Sequence, residues 1–265
     1  MEHKTVSVRQ TYRELMDMKR FFIIFLLSIM ISANFSSFAE RGGVVIFSNL
    51  TGKEAFPLKG YKIGIDPGHQ MKANSELEIM MPGTYERKAK VASGTRGAST
   101  EIPEYVTVLE ISLKLRDLLT DLGAEVLMTR ETHDVDISNQ ERAIMMNEWG
   151  ADLVLRMHCN GSTNSNVSGM GMYVRYSGDG YQESYELAEA LLKHMSEATG
   201  AKKEGVFKRN TYTGLNWSTV PSVLVEMGYM TNPEEDEKLN SAEYQEKLVI
   251  GAVNGICEYL KIKIS

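Results

Sequence analysis

Two cysteines in 265 residues are too few for a disulfide framework. Cys159 and Cys257 stand alone, without a CxxC pair, so a cysteine-rich zinc site is excluded as well. Nothing beside Cys159 specifies thiolate chemistry, and it reads as a small buried hydrophobe. Runs of lysine and arginine are missing, and the formal net charge is −6. A chain with no cationic stripe has nothing to track phosphates, which argues against a nucleic-acid partner. The apolar run Phe21 to Ile31 falls well short of the ~20 residues a membrane-spanning helix needs. No internal repeat is visible.

What remains is a chain that is 43% hydrophobic, enough to bury one domain of ordinary size with a short extension. Met18-Lys19-Arg20, the apolar run and Ser37-Phe38-Ala39 have the charged, apolar and small-x-small parts of a secretory signal over residues 1–39. Met18 would itself serve as a start. The alternative is an uncleaved N-terminal anchor. Cleavage would remove five basic and three acidic residues and leave the remainder more acidic still. Export follows from either reading, with action outside the cytoplasm. Residues 40–59 read as a linker or a loose first strand at Val44–Phe47, and 60–265 as one catalytic domain.

Within that domain strands and helices alternate. Tyr61–Asp66 reads as a short buried strand stopped by Pro67-Gly68, since Pro has no N–H for the ladder and Gly accepts turn dihedrals. Pro103-Glu104 opens a helix whose apolar residues Val108, Ile111, Leu115 and Leu119 recur at three- and four-residue steps; Gly123 ends it. Strands are expected at 124–129, 152–158, 169–175 and 221–226. Helices are expected at 139–149, after the capping Ser138, at 181–198 and at 241–260. The pattern predicts a single three-layer α/β domain, a mostly parallel sheet of about six strands between helices. Residues 70–103 carry no sustained period. Lys88–Thr100 reads as a loop near the site, or else as a surface insertion.

Three predicted strands end in His69, His158 and Glu226, and Glu104 begins the helix after the first. Ligands of open α/β sheets sit beyond such strand ends. Catalytic zinc sites take three N or O ligands and leave one position for water. Two imidazoles and a carboxylate fit that pattern, and a second carboxylate suits a base. Glu104 also suits the first turn of its helix, where the dipole favours negative charge.

The motifs Ile65-Asp66-Pro67-Gly68-His69, Glu104 with Val108-Leu109-x-Ile111, Leu122-Gly123-Ala124-x-Val126-x-x-Thr129-Arg130, Glu141-Arg142-Ala143 with Asn147, Met157-His158-Cys159-Asn160 and Val223–Asn232 occur in one order over about residues 60–262. In this the chain resembles the zinc-dependent N-acetylmuramoyl-L-alanine amidases of the amidase type 3 family, which cut peptidoglycan. The resemblance implies zinc held by His69, Glu104 and His158, with Glu226 as the catalytic glutamate. Gln70 departs from the Gly usual after this His, and the segment up to Glu104 is long. Both features, with Gly94–Gly97, resemble the clostridial sporulation-type branch, and they bear on substrate preference more than on the metal.

Asn160, Arg130, Arg142 and Asn232 are candidate substrate contacts. Against that stand loop capping for the two asparagines and structural ion pairs with Asp134, Asp136 or Glu141 for the two arginines. His133 reads as a loop residue, His194 as a helix-surface residue, and Glu101 as a rival carboxylate to Glu104. Peptidoglycan is the implied substrate. With no added wall-binding repeat, recruitment falls to the catalytic domain, to a retained N-terminal segment at the membrane, or to a protein activator. A catalytically silent wall-binding protein on the same fold, and another zinc amide hydrolase such as a carboxypeptidase or deacetylase, are the alternatives.

Overall fold

The computed structural model describes residues 56–178 and 180–262. The expected signal segment, the strand at Val44–Phe47 and all but the end of the 40–59 segment lie outside the described residues. No helix among those described is long and apolar enough to cross a membrane.

Among the described residues eight strands and six helices follow in the order β1 (Lys62–Pro67), β2 (Asn74–Ile79), β3 (Arg87–Val91), α1 (Glu104–Asp121), β4 (Glu125–Met128), α2 (Asn139–Trp149), β5 (Leu153–Asn160), β6 (Met170–Arg175), α3 (Tyr181–Thr199), β7 (Lys203–Arg209), α4 (Thr213–Asn216), β8 (Ser222–Tyr229), α5 (Pro233–Leu239) and α6 (Ala242–Tyr259). Six strands form one sheet in the order β4-β1-β5-β8-β6-β7. Neighbours are parallel except β8 and β6, which run antiparallel. The mostly parallel six-stranded sheet between helices is thus the predicted architecture.

Side chains alternate across the sheet. Ile63 and Ile65 point to one face and are fully buried. Gly64 and Asp66 point to the other, where a Cβ on Gly64 would strike Met146 of α2. α1, α3 and α6 pack on the first face, α2 and α4 on the second. α3 and α6 cross closely: a Cβ at Gly251 would lie 2.5 Å from Met195 Cα, and one at Gly255 2.8 Å from Leu191 Cα. α2 opens with a full capping box, Ser138 and Glu141 each accepting from the other's backbone N–H, and ends at Gly150 with φ 72°.

Several expectations are corrected. The 70–103 segment is not wholly irregular: β2 and β3 pair antiparallel as a separate hairpin, so Lys88–Val91 is strand rather than loop. Only residues from Ala92 onward form the loop. β7, α4 and α5 escaped the sequence reading. Pro103 is the N-cap of α1 rather than its first residue. β1 stops two residues before His69, while β5 and β8 run on past His158 and Glu226.

Candidate active site

The turn after β1 is held from beneath by two buried arginines. Arg142 of α2 donates to the carbonyls of Pro67 (2.9 Å) and His69 (3.0 Å), and to Asp66 Oδ1 (2.9 Å). Arg130 donates to the carbonyls of Pro67 (3.0 Å) and Gly68 (2.8 Å). Carbonyls with such partners fix the path of the chain, and His69 takes up φ 58°, a left-handed conformation costly for a residue with a Cβ. Gln70 is buried and accepts from Arg142 and from the Ile137 N–H. Its departure from Gly serves this framework.

Three donor groups converge above the turn. His69 Nε2 lies 3.2 Å from Glu104 Oε1, and His158 Nδ1 lies 3.0 Å from the same oxygen. One ligand atom from each of the three lies within 4.8 Å of the others. The two imidazoles meet edge to face, 4.8 Å between centroids. His69 Nδ1 donates to the Ala92 carbonyl at 2.8 Å, which orients the ring with Nε2 toward Glu104, the nitrogen that would ligate an ion once deprotonated. Glu104 is itself oriented, accepting from Cys159 N–H at 3.0 Å and Thr95 N–H at 2.8 Å. Gly68 and Gly94 leave the room: a Cβ on Gly68 would fall 2.2 Å from the His158 ring, and one on Gly94 2.8 Å from Glu104 Oε2.

This donor set fits zinc. Four ligands at ~2.0–2.2 Å in a tetrahedron stand roughly 3.3 Å apart, close to the two shortest separations found here. Burial opposes charge on Glu104, yet hydrogen bonds and charge from the two imidazoles hold its carboxyl well below the usual range. Burial also opposes charge on His69, but Glu104 and the Ala92 carbonyl outweigh it and raise its pKa. For His158 burial wins and lowers it.

Glu226 lines the same cavity, of about 300 Å³, with His69, Glu104 and His158. The ladder sets Glu226 opposite His158. Its carboxyl is buried, and Oε2 has no hydrogen-bond partner. Desolvation, then repulsion from Glu104 and Glu204, pushes its pKa well above the carboxylate range. A carboxyl so placed exchanges a proton nearer neutrality.

The other candidates divide. Asn160 lines the cavity, its Oδ1 accepting from Gly161 N–H. Asn232 is the N-cap of α5, accepting from Glu234 and Glu235 N–H, and is not among the lining residues. Arg130 and Arg142 are 3% and 1% exposed and spent on the framework, so neither reaches the cavity as a substrate contact. The ion pair of Arg142 is with Asp66, not the acids the sequence offered. Glu101 is exposed at φ 58° and outside the group. His133 packs on Tyr105, and His194 pairs with Glu258 at 2.7 Å. Lys88, from the segment expected near the site, lines the cavity; sequence reading missed Tyr212, Gly214 and Arg156. Only Arg156 carried a signal: it sits two residues before His158, hence on the same face of β5.

A model of the N-acetylmuramoyl-L-alanine amidase family matches residues 63–258. An N-acetylmuramoyl-L-alanine amidase of Mycobacterium tuberculosis is 29% identical over 216 residues, covering 77% of this chain and 88% of that protein. A germination-specific N-acetylmuramoyl-L-alanine amidase of Bacillus subtilis is 26% identical over 228 residues, 79% of this chain and 84% of that protein. The crystal structure of the amidase Ami1 from Mycobacterium smegmatis superposes with a TM-score of 0.71 at 24% identity, over 78% of this chain and 99% of that one, a likeness of fold.

Proposed function

This chain belongs to the amidase type 3 family of N-acetylmuramoyl-L-alanine amidases, and from that premise we propose that it is a zinc-dependent enzyme cutting the amide between the lactyl group of N-acetylmuramic acid and L-alanine in peptidoglycan. The observation that carries the reading is the convergence of His69, Glu104 and His158 in a cavity shared with the buried carboxyl of Glu226.

His69 Nε2, Glu104 Oε1 and an imidazole nitrogen of His158 would hold the ion. Zinc bound there supplies Lewis acidity, lowering the pKa of a water from about 15.7 to about 7 and polarising the scissile carbonyl. Glu226 accepts the proton of the attacking water and hands it to the departing alanine nitrogen. Its desolvated setting suits both halves of that transfer, because a carboxyl at its ordinary pKa would give the proton up too readily. Ala92, Thr95 and Cys159 hold the ligands in place through backbone groups, so the arrangement does not wait on the metal. The signal-like residues 1–39 support export to the wall where this substrate lies.

Glu226→Gln is expected to keep zinc and lose at least ~100-fold of turnover on purified sacculi. His69→Ala and His158→Ala should lose the metal instead. Elemental analysis and mass spectrometry of the released peptides check both, since an amidase exposes a new L-alanine amino terminus. Undiminished hydrolysis by Glu226→Gln removes that residue from the mechanism. Full zinc content in either histidine variant refutes the ligand set. Bound zinc with no peptide released would favour the silent wall-binding alternative.

A further inference from the structure

The cavity continues inward past the three donors. In the sheet His158 stands opposite Glu226, and one row deeper on the same face Arg156 stands between Asp66 and Leu224. Arg156 is 3% exposed, yet it lines the cavity together with Asp66, Gly214, Leu215 and Leu224. Nη1 donates to Asp66 Oδ2 at 2.6 Å and Nε to Ser222 Oγ at 3.2 Å. Nη2 has no hydrogen-bond partner. A buried guanidinium donor left unpaired is costly, and native chains seldom retain one without use.

The charges there are unequal. Asp66 is one carboxylate set against two guanidiniums, Arg142 and Arg156. Arg142 spends its remaining N–H groups on the Ile137, Pro67 and His69 carbonyls and on Gln70. Arg156 does not. One positive charge and one donor are therefore left on the guanidinium that lines the cavity. Gly214 of α4 makes room for it: a Cβ there would stand 2.8 Å from Nη1 and 2.9 Å from Cζ.

We infer that Arg156 anchors a subsite for a carboxylate of the substrate, carried on the stem peptide beyond the scissile amide. The inference rests on the amidase reading and adds to it a preference for a free stem carboxylate over its amide. Water or a neutral carbonyl would satisfy the donor but not the second positive charge; a carboxylate does both in one charge-assisted contact. A primary amide in its place leaves the charge unbalanced, which is how a buried polar group rejects a near-isostere. Arg156 touches substrate in this account but no reacting atom, and it sets specificity.

The test uses the zinc-loaded protein and matched synthetic muropeptides whose residue after L-alanine carries either a free carboxyl or its primary amide. The wild type is expected to favour the free acid by about tenfold in kcat/KM, chiefly through KM. Arg156→Gln, which removes the charge, and Gly214→Ala, which crowds the guanidinium, should each bring that ratio toward one. Thermal melts confirm that each variant is folded, and Gly214→Ala decides if Arg156→Gln is not. A wild-type ratio near one, or a ratio that both folded variants leave unchanged, overturns the subsite. If neither muropeptide is cut, the amidase reading fails by itself. Calorimetry with the two stem peptides alone then decides the subsite, equal affinities overturning it and roughly tenfold tighter binding of the free acid supporting it.

Discussion

Glu104 and Glu226 are two carboxyls in one cavity whose surroundings drive them in opposite directions. Glu104 has two imidazoles and two backbone N–H groups, and stays ionised. Glu226 has burial and like charges, and is pushed toward its neutral form. Such divergence is how one site obtains a ligand and a proton carrier from the same side-chain type. It also has a consequence for stability. The folded pKa of Glu226 lies above the unfolded value of ~4.3, so folding becomes less favourable as pH rises through and above that value. Metal-free Glu226→Gln should therefore melt higher than the metal-free wild type at about pH 8, and the two should converge near about pH 4. Circular dichroism melts in chelator at the two pH values check this. Equal melting at the higher pH would mean Glu226 carries no burial penalty. The four candidate residues drew notice in the sequence through their neighbour patterns and predicted element ends, although in the structure only Glu104 opens its element. Arg156 was legible only in part: its place on the His158 face of the strand could be read, but not whether its partner is an acid or a ligand.

The turn between β1 and the hairpin is the element on which the site depends. Its carbonyls are held by Arg130 and Arg142, and Asp66 ties Arg142 and Arg156 together at its base. Removing one partner of a buried pair exposes the other to the full desolvation cost. Asp66→Asn is expected to cost ~3–5 kcal/mol of stability and to release the turn that carries His69. Denaturant unfolding measures the first effect and zinc content the second; a variant as stable as the parent would show that the guanidiniums find other partners. The arginines were visible in the sequence, but their partners were not. Asp66 is distant in the chain, whereas Asp134, Asp136 and Glu141 are near, and proximity in sequence misled. The hairpin was equally hidden: Asn74–Ile79 and Arg87–Val91 alternate over only four residues each, and their burial does not follow the pattern, with Leu77 exposed and Glu78 buried. α4, at four residues, is too short to show a period.

At the scale of the molecule, a parallel run of β4, β1, β5 and β8 brings widely separated residues to one edge, and the antiparallel β6 sets Gly171 opposite Glu226. The alternation of strands and helices made the mostly parallel sheet readable from periodicity, but not β7 or the antiparallel setting of β6. A preformed donor set means that metal binding should stabilise the fold: zinc at ~100 times its dissociation constant adds about 2.7 kcal/mol, visible as a raised melting temperature in the wild type and absent in His158→Ala. The most direct test is release of L-alanine-terminated peptides from sacculi by protein stripped of metal and then titrated with zinc. The account predicts no release after stripping and full recovery near one zinc per chain. Undiminished release from the metal-free protein would contradict it.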